Sequence, residues 1–422
     1  MHRIPFAKKE GRGKQTLLGA LLAFAVVMSA SAQTGEPLTL AAAIDQAYQL
    51  SPELSATSRG IGIAQGERIQ AGLMPNPVVS WDREDTRSKT STTTVLLSQT
   101  LELGGKRGAR VDVATRGQEL ASLELEQRKQ DLRSEVSQAF YAAARAQTAV
   151  DLALQSYELS KRSVEVANAR VKAGKAAPIE VTRADVQYAD TGLQLQRAQV
   201  AKADAYRELA RVIGTYNGNI GTVQVDQKYP GPAPEASKLL ARLNDTSLMR
   251  LAETRIAQSE AAVGSAKAQR IPNLTVSVGS QYDSEVRERV NVVGLSLPLP
   301  LFDRNQGNIL AASRRADQAQ DQRNATELTV RTKTEAAIAQ WNTSYQEIQS
   351  FQKVILPGAQ RAVDSALRGF QIGKFGFFEV LDAQRTLITA RNQYLVALAS
   401  AADSRSLVES IYGDVNTLLA TQ

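Results

Sequence analysis

Glu379 and Asp382 stand three positions apart in a stretch, 377–412, that holds neither proline nor glycine. On a helix that spacing puts both carboxylates on one face. Such a pair can attract cations and repel anions, or it can be an ordinary solvated face. Phe375, Phe377 and Phe378 lie beside it and suit an apolar constriction, internal packing or contact with a partner. Other reactive groups are scarce. The chain has no cysteine, and its one histidine is His2. That removes disulfides, thiolate metal sites and lipidation of an N-terminal cysteine. Beyond His2 no imidazole is left for acid–base work. No P-loop, Gly-x-Ser-x-Gly elbow or metal-ligand cluster occurs. No catalytic residue, cofactor or resident metal is expected, and an exported enzyme is a poor reading.

The elements that must carry these residues begin with a leader. A basic run (Arg3, Lys8, Lys9, Arg12, Lys14) precedes an apolar stretch and Ala30-Ser31-Ala32, which together read as a secretory signal peptide over 1–32. Its removal takes five Lys/Arg and one Glu, lowering the formal net charge from +7 to +3. No basic stripe is interleaved with aromatics, so nucleic acid is not an expected partner.

The mature chain repeats. Gly174-Lys175 recurs as Gly373-Lys374, and Glu180-Val181 as Glu379-Val380, both at an offset of 199. Pro75-Asn76-Pro77 is echoed by Pro272-Asn273, at an offset of 197. The expected organisation is a first repeat over 33–215, a linker over 216–235, a second repeat over 236–413 and a tail over 414–422. Each repeat reads as short helix, strand pair, very long helix, glycine turn and long helix. The strands are expected over 78–85 and 92–101, then 274–283 and 290–298. The helical hairpins are expected over 106–212 and 305–412. No proline falls between Pro77 and Pro178, and the spacing of Leu120, Leu123, Leu132, Val136 and Phe140 is helical. A helix over 106–172 would be on the order of 100 Å long and must bury itself sideways against neighbours. Pro357 is expected to kink the third long helix, and the linker is expected to hold one short strand over 221–225.

Strands of about ten residues, apolar on one face and small or polar on the other, suit either a half-exposed sheet or a membrane barrel. Four strands cannot close, and an open edge cannot sit in lipid. If they span a membrane, chains must combine, and three chains would supply twelve strands around a lumen. Secretion with such strands points to the outer membrane of a Gram-negative bacterium, with the long helices in the periplasm.

The motif Phe370-Gln371-Ile372-Gly373-Lys374, followed by Phe378-Glu379-Val380-Leu381-Asp382-Ala383-Gln384-Arg385, resembles the periplasmic tip of the TolC family of outer-membrane efflux channels. Pro75-Asn76-Pro77 and Gln99-Thr100-Leu101-Glu102-Leu103-Gly104-Gly105-Lys106-Arg107 look most like the outer-membrane component of cobalt–zinc–cadmium resistance systems. The resemblance implies a mixed α/β membrane protein: a homotrimer with a twelve-stranded outer-membrane β-barrel continuous with a periplasmic α-helical barrel. It implies a passive duct serving a periplasmic adaptor (membrane fusion protein) and an inner-membrane RND pump, with heavy-metal cations as cargo. It also implies a periplasmic gate at Glu379, Asp382, Phe370 and Phe375, where Phe375 replaces an arginine found in some members. Adaptor contacts are implied at Gly174, Lys175, Gly373 and Lys374. A drug-efflux or type I secretion duct of the same fold is an alternative. A periplasmic coiled-coil adaptor is a more distant one, since adaptors carry one hairpin and this chain carries two.

Overall fold

The computed structural model describes residues 37–215, 220–226 and 229–414. The leader over 1–32 lies outside the described residues, as do parts of the linker and nearly all of the tail. Two short helices open the described chain, α1 (Leu40–Leu50) and α2 (Pro52–Ala71). Thr39 and Ser51 cap them, each side-chain oxygen accepting from a backbone N–H of the first turn at 3.3 Å. Pro52, whose missing N–H costs nothing at a first helical position, starts the second.

Strands β1 (Val78–Glu84) and β2 (Thr92–Leu101) follow, then α3 (Lys106–Lys172) and α4 (Pro178–Ile213). The second half has α5 (Ala236–Ala241), α6 (Ser247–Gln269), β3 (Leu274–Asp283) and β4 (Glu288–Ser296). It ends in α7 (Gln306–Ser350), α8 (Leu356–Gln371) and α9 (Phe377–Tyr412). The 67 residues of α3 make it about 100 Å long. Among the described residues no helix is long and apolar enough to cross a membrane.

The four strands form one antiparallel sheet in the order β1-β2-β3-β4, leaving β1 and β4 as open edges. Its register joins the two halves: Val79, Leu97, Val278 and Val293 form one row across all four strands. These four side chains are 69%, 47%, 47% and 74% exposed, so the sheet turns an apolar face outward. Trp81, Val95 and Leu295 extend that face. The opposite face is richer in small and polar residues, though it also carries Val78, Leu96, Val290 and Val292. Val78, Ser98, Ser277 and Gly294 form a row there, with Ser98 Oγ and Ser277 Oγ 2.9 Å apart.

Strand ends differ slightly from expectation, for local reasons. β1 stops one residue early because Asp85 takes a left-handed φ of 56° and its carboxylate accepts from Arg87 N at 3.0 Å and from Thr90 Oγ1 at 2.6 Å. β4 begins at Glu288, straight after Arg287 at φ 53°, and ends before Pro298, which cannot donate to a ladder. The strand expected over 221–225 is a single parallel bridge, Leu38 to Val223. Gln224 N donates to Leu38 O at 3.0 Å, and Leu38 N to Thr222 O at 2.9 Å.

Pro357 ends no helix. A π-helical turn over Phe351–Ile355 separates α7 from α8, and Leu356 N donates to Phe351 O. Proline cannot serve the carbonyl four residues back, which is that of Lys353. That carbonyl lies inside the wider π turn, so the chain continues as helix through the proline.

Packing is by thin seams. A cluster beside α1 joins Ala43, Phe140, Leu209, Ile213 and Ala402 from α1, α3, α4 and α9. Smaller clusters follow the helices away from it. Around the four long helices α4 packs on α3, α3 on α9, and α9 on α8.

Candidate functional site at the helix tips

Both hairpins turn the same way. Gly174 takes φ 68° and Gly373 φ 82°, a left-handed conformation costly for any residue with a Cβ. Lys175 N donates to Arg170 O at 2.9 Å while Gly174 N donates to Val171 O at 2.9 Å. Lys374 N to Gly369 O at 2.8 Å and Gly373 N to Phe370 O at 3.0 Å repeat the pattern. These paired bonds satisfy the last carbonyls of each helix. All four tip residues are exposed.

The two tips are one packed unit. Phe370 and Phe377, with ring centroids 5.3 Å apart, are buried among Ala167, Ala184, Ala366 and Val380 from both hairpins. Arg170 binds them together: its guanidinium lies 4.3 Å over the Phe370 ring and donates to the Phe370 carbonyl. Its other terminal nitrogen donates to Lys175 O at 2.9 Å. Further from the tips, Gln384 Nε2 donates to Ser163 Oγ at 2.8 Å, linking α9 to α3.

The four expected gate residues separate into two kinds. Glu379 and Asp382 are exposed on one face of α9, beside the exposed ring of Phe378. Phe375 is 41% exposed and its ring lies over Gly369, where a Cβ would come within 2.1 Å of it. Phe370 is fully buried, so within one chain it packs the tip and does not line a surface.

Arg170 and Gly369 were not singled out in the sequence. Arg170 acts across 200 positions on a residue of the other repeat, and no local spacing announces such a contact. Gly369 could have been flagged as a glycine one turn before a helix end. Among the described residues, no group of three His, Cys, Asp or Glu is placed to hold a metal ion.

Comparison with known proteins agrees with this architecture. The family model described as outer membrane efflux protein matches residues 43–215 and 240–413, one stretch in each half. The chain is 36% identical over 379 residues to the cobalt-zinc-cadmium resistance protein CzcC of Cupriavidus metallidurans, covering 89% of this chain and 90% of that one. It is 25% identical to the nickel-cobalt-cadmium resistance protein NccC of Alcaligenes xylosoxydans xylosoxydans, covering 76% and 74% of the two chains. The fold matches the crystal structure of the outer membrane protein VceC of Vibrio cholerae with a TM-score of 0.75 at 19% identity, over 89% of this chain and 97% of that one. Two matched halves, one sheet with an apolar outer face and two long hairpins meeting at their tips have one explanation: the chain belongs to the outer membrane efflux protein family and is a passive channel, not an enzyme.

Proposed function

We propose that the chain is the outer-membrane duct of a tripartite efflux pump and that its cargo is divalent heavy-metal cations. The observation that carries the cargo is the 36% identity to a cobalt-zinc-cadmium resistance protein over about nine-tenths of both chains. Three chains combine. Each four-stranded sheet has two open edges, and lipid offers nothing to pair with them. The unit β1-β2-β3-β4 is repeated three times into a twelve-stranded barrel with the apolar row outward. The long helices then form a periplasmic tube whose tips meet a periplasmic adaptor and an inner-membrane RND pump.

Transport needs no chemistry in this chain. The exposed carboxylates of Glu379 and Asp382 become a ring of six negative charges when three copies surround one axis. Such a ring draws cations to the narrow end and repels anions. Carboxylate oxygens hold divalent cations loosely compared with thiolates or imidazoles, so the ring releases what it attracts. Phe370, buried under Arg170, and Phe375, seated on Gly369, brace the turn that carries the ring. Gly174, Lys175, Gly373 and Lys374 present exposed backbone and two ammonium groups to the adaptor.

The test is deletion of the gene in a strain that expresses the cognate pump and adaptor. Tolerance to zinc, cobalt and cadmium should fall, and tolerance to dyes and antibiotics should stay. Unchanged metal tolerance overturns the cargo assignment, and the reverse pattern identifies a drug duct of the same fold.

A further inference from the structure

Helices α4 and α9 both pack on α3 and leave a notch over it. The notch is a cavity of about 210 Å³. Its floor includes Ala149, Ala153 and Ser156 of α3, and its walls carry Arg197 of α4 with Arg391 and Asn392 of α9. Small floor residues keep it open. A water molecule takes roughly 30 Å³ in the liquid, so the notch has room for an ion and part of its hydration shell.

The charge on these walls is not balanced. Arg391 is 7% exposed, and its terminal nitrogens donate to neutral oxygens of Leu152, Gln155, Ser156 and Gln360. Its Nε–H donates to none of them. Burial lowers its pKa, and no carboxylate among the described residues is placed to offset that. Arg197 is exposed on the facing wall, with no hydrogen bond or ion pair among the described residues. Among those residues, no Asp or Glu lines the cavity. Two guanidinium groups therefore share one notch with no acid between them. Like charges facing one cavity repel, and a buried charge is costly without a counter-charge. Neutral dipoles answer Arg391 in part, but they leave the net charge as it was.

We infer that the notch binds a small monovalent anion of the halide class, held between Arg391 and Arg197. The Nε–H of Arg391, the guanidinium of Arg197 and the side-chain amide of Asn392 supply the donors. The alanine floor tolerates a weakly hydrated ion such as chloride. A doubly charged oxyanion needs donors on all sides, which alanine methyl groups do not offer. The bound ion adds an ionic link over α3, from the second hairpin to the first. It sits in the wall formed by the helices, and the site does not depend on the proposed transport of cations.

The test exchanges anions at constant sodium concentration. The full-length protein in detergent is denatured by heat in sodium gluconate, whose bulky, strongly hydrated anion does not suit the alanine floor, and gluconate is then replaced stepwise by bromide. The midpoint of the parent should rise and saturate in the millimolar range. Arg197→Gln, at an exposed and unpaired position, should show only the shallow, unsaturated drift of bulk salt. Arg197→Glu supplies the missing counter-charge from the chain itself, so its midpoint in gluconate should exceed that of the parent and bromide should add nothing. Parallel curves for the parent and Arg197→Gln overturn the site. A saturating rise with phosphate in place of bromide overturns the halide assignment. Crystals soaked in sodium bromide give a second measurement, with an anomalous peak expected between Arg391 and Arg197. The absence of a peak, or a carboxylate of a neighbouring copy in its place, overturns the proposal.

Discussion

Arg391 of α9 donates from Nη1 to Ser156 Oγ of α3 at 2.6 Å, joining residues 235 positions apart. The same guanidinium reaches Leu152 O at 3.1 Å, Gln155 Oε1 at 2.9 Å and Gln360 Oε1 at 3.4 Å. All four acceptors are neutral. Arg391 is buried, and loss of solvation lowers its pKa from the ordinary guanidinium value. Among the described residues this buried cation is answered by oxygen dipoles, so it is held by geometry, with bonds to α3 and α8 at once.

Arg391→Ala should therefore loosen the two hairpins from one another. Leaving several buried acceptors without a donor costs on the order of 1–3 kcal/mol. Arg391→Lys should not restore the loss, because an ammonium cannot serve four acceptors arranged for a planar fork. Thermal denaturation of the purified protein is the measurement. A transition as high as that of the parent would mean that the cost of burying the charge cancels its bonds.

Alkaline pH should weaken the region beside α1. Tyr141 and Tyr229 stack at 3.9 Å between ring centroids. Burial, aided by Glu409 and Asp226 and opposed by Arg405 and Arg133, pushes the Tyr141 phenol up to about 12. Tyr229 is raised as well, first by burial and then by Tyr141. The folded chain thus keeps these protons at pH values where the unfolded chain, near 10, releases them. The stability tied to them is complete below pH 10 and is lost as pH rises toward 12, on the order of 2–3 kcal/mol for Tyr141. Denaturation midpoints measured across that window should fall steeply in the parent and less steeply in Tyr141→Phe. Equal slopes would remove Tyr141 from the account.

At the tip, Glu379→Ala with Asp382→Ala should weaken block by divalent cations, read as single-channel conductance in planar bilayers with and without the divalent ion. The effect should shrink as salt is raised, because exposed charges are screened over about 10 Å at 0.1 M. If conductance and block both stay at the parent values, the two carboxylates are only a solvated face.

Gly369 and Phe375 should behave as one unit. Gly369→Ala brings a Cβ into the Phe375 ring, so the ring must leave its seat. Binding to the purified adaptor, or tip stability, should change in Gly369→Ala and in Phe375→Ala by similar amounts. The double variant should cost little more than either alone. Additive losses would show that Gly369 matters for a reason other than seating Phe375.

Much of this chain was readable before any coordinates. Lys106, Lys172, Pro178 and Tyr412 are helix ends read directly from proline and glycine punctuation, because capping and turn chemistry act within a few residues. The strands were legible for the same reason: two-residue alternation is local. The π turn at Phe351–Ile355 was not, since Pro357 predicts trouble at the Lys353 carbonyl without saying whether the helix breaks, bends or widens. At the tip, spacing put Glu379 and Asp382 on one helix face and only the family resemblance suggested a gate there, while the burial of Phe370 was not legible at all. Its aromatic side chain suits packing and pore lining equally, and Arg170, which covers it, belongs to the other repeat.

By itself the sequence determined the order and length of the elements, the doubling of the unit and the absence of thiol and imidazole chemistry. These follow from propensity, periodicity and composition, which need no partner to be read. Only the tertiary structure decided which helices touch. The seams mix large apolar residues with many alanines, serines and threonines, which fit against many neighbours, so their spacing does not name one. Packing in three dimensions set the order α4, α3, α9, α8.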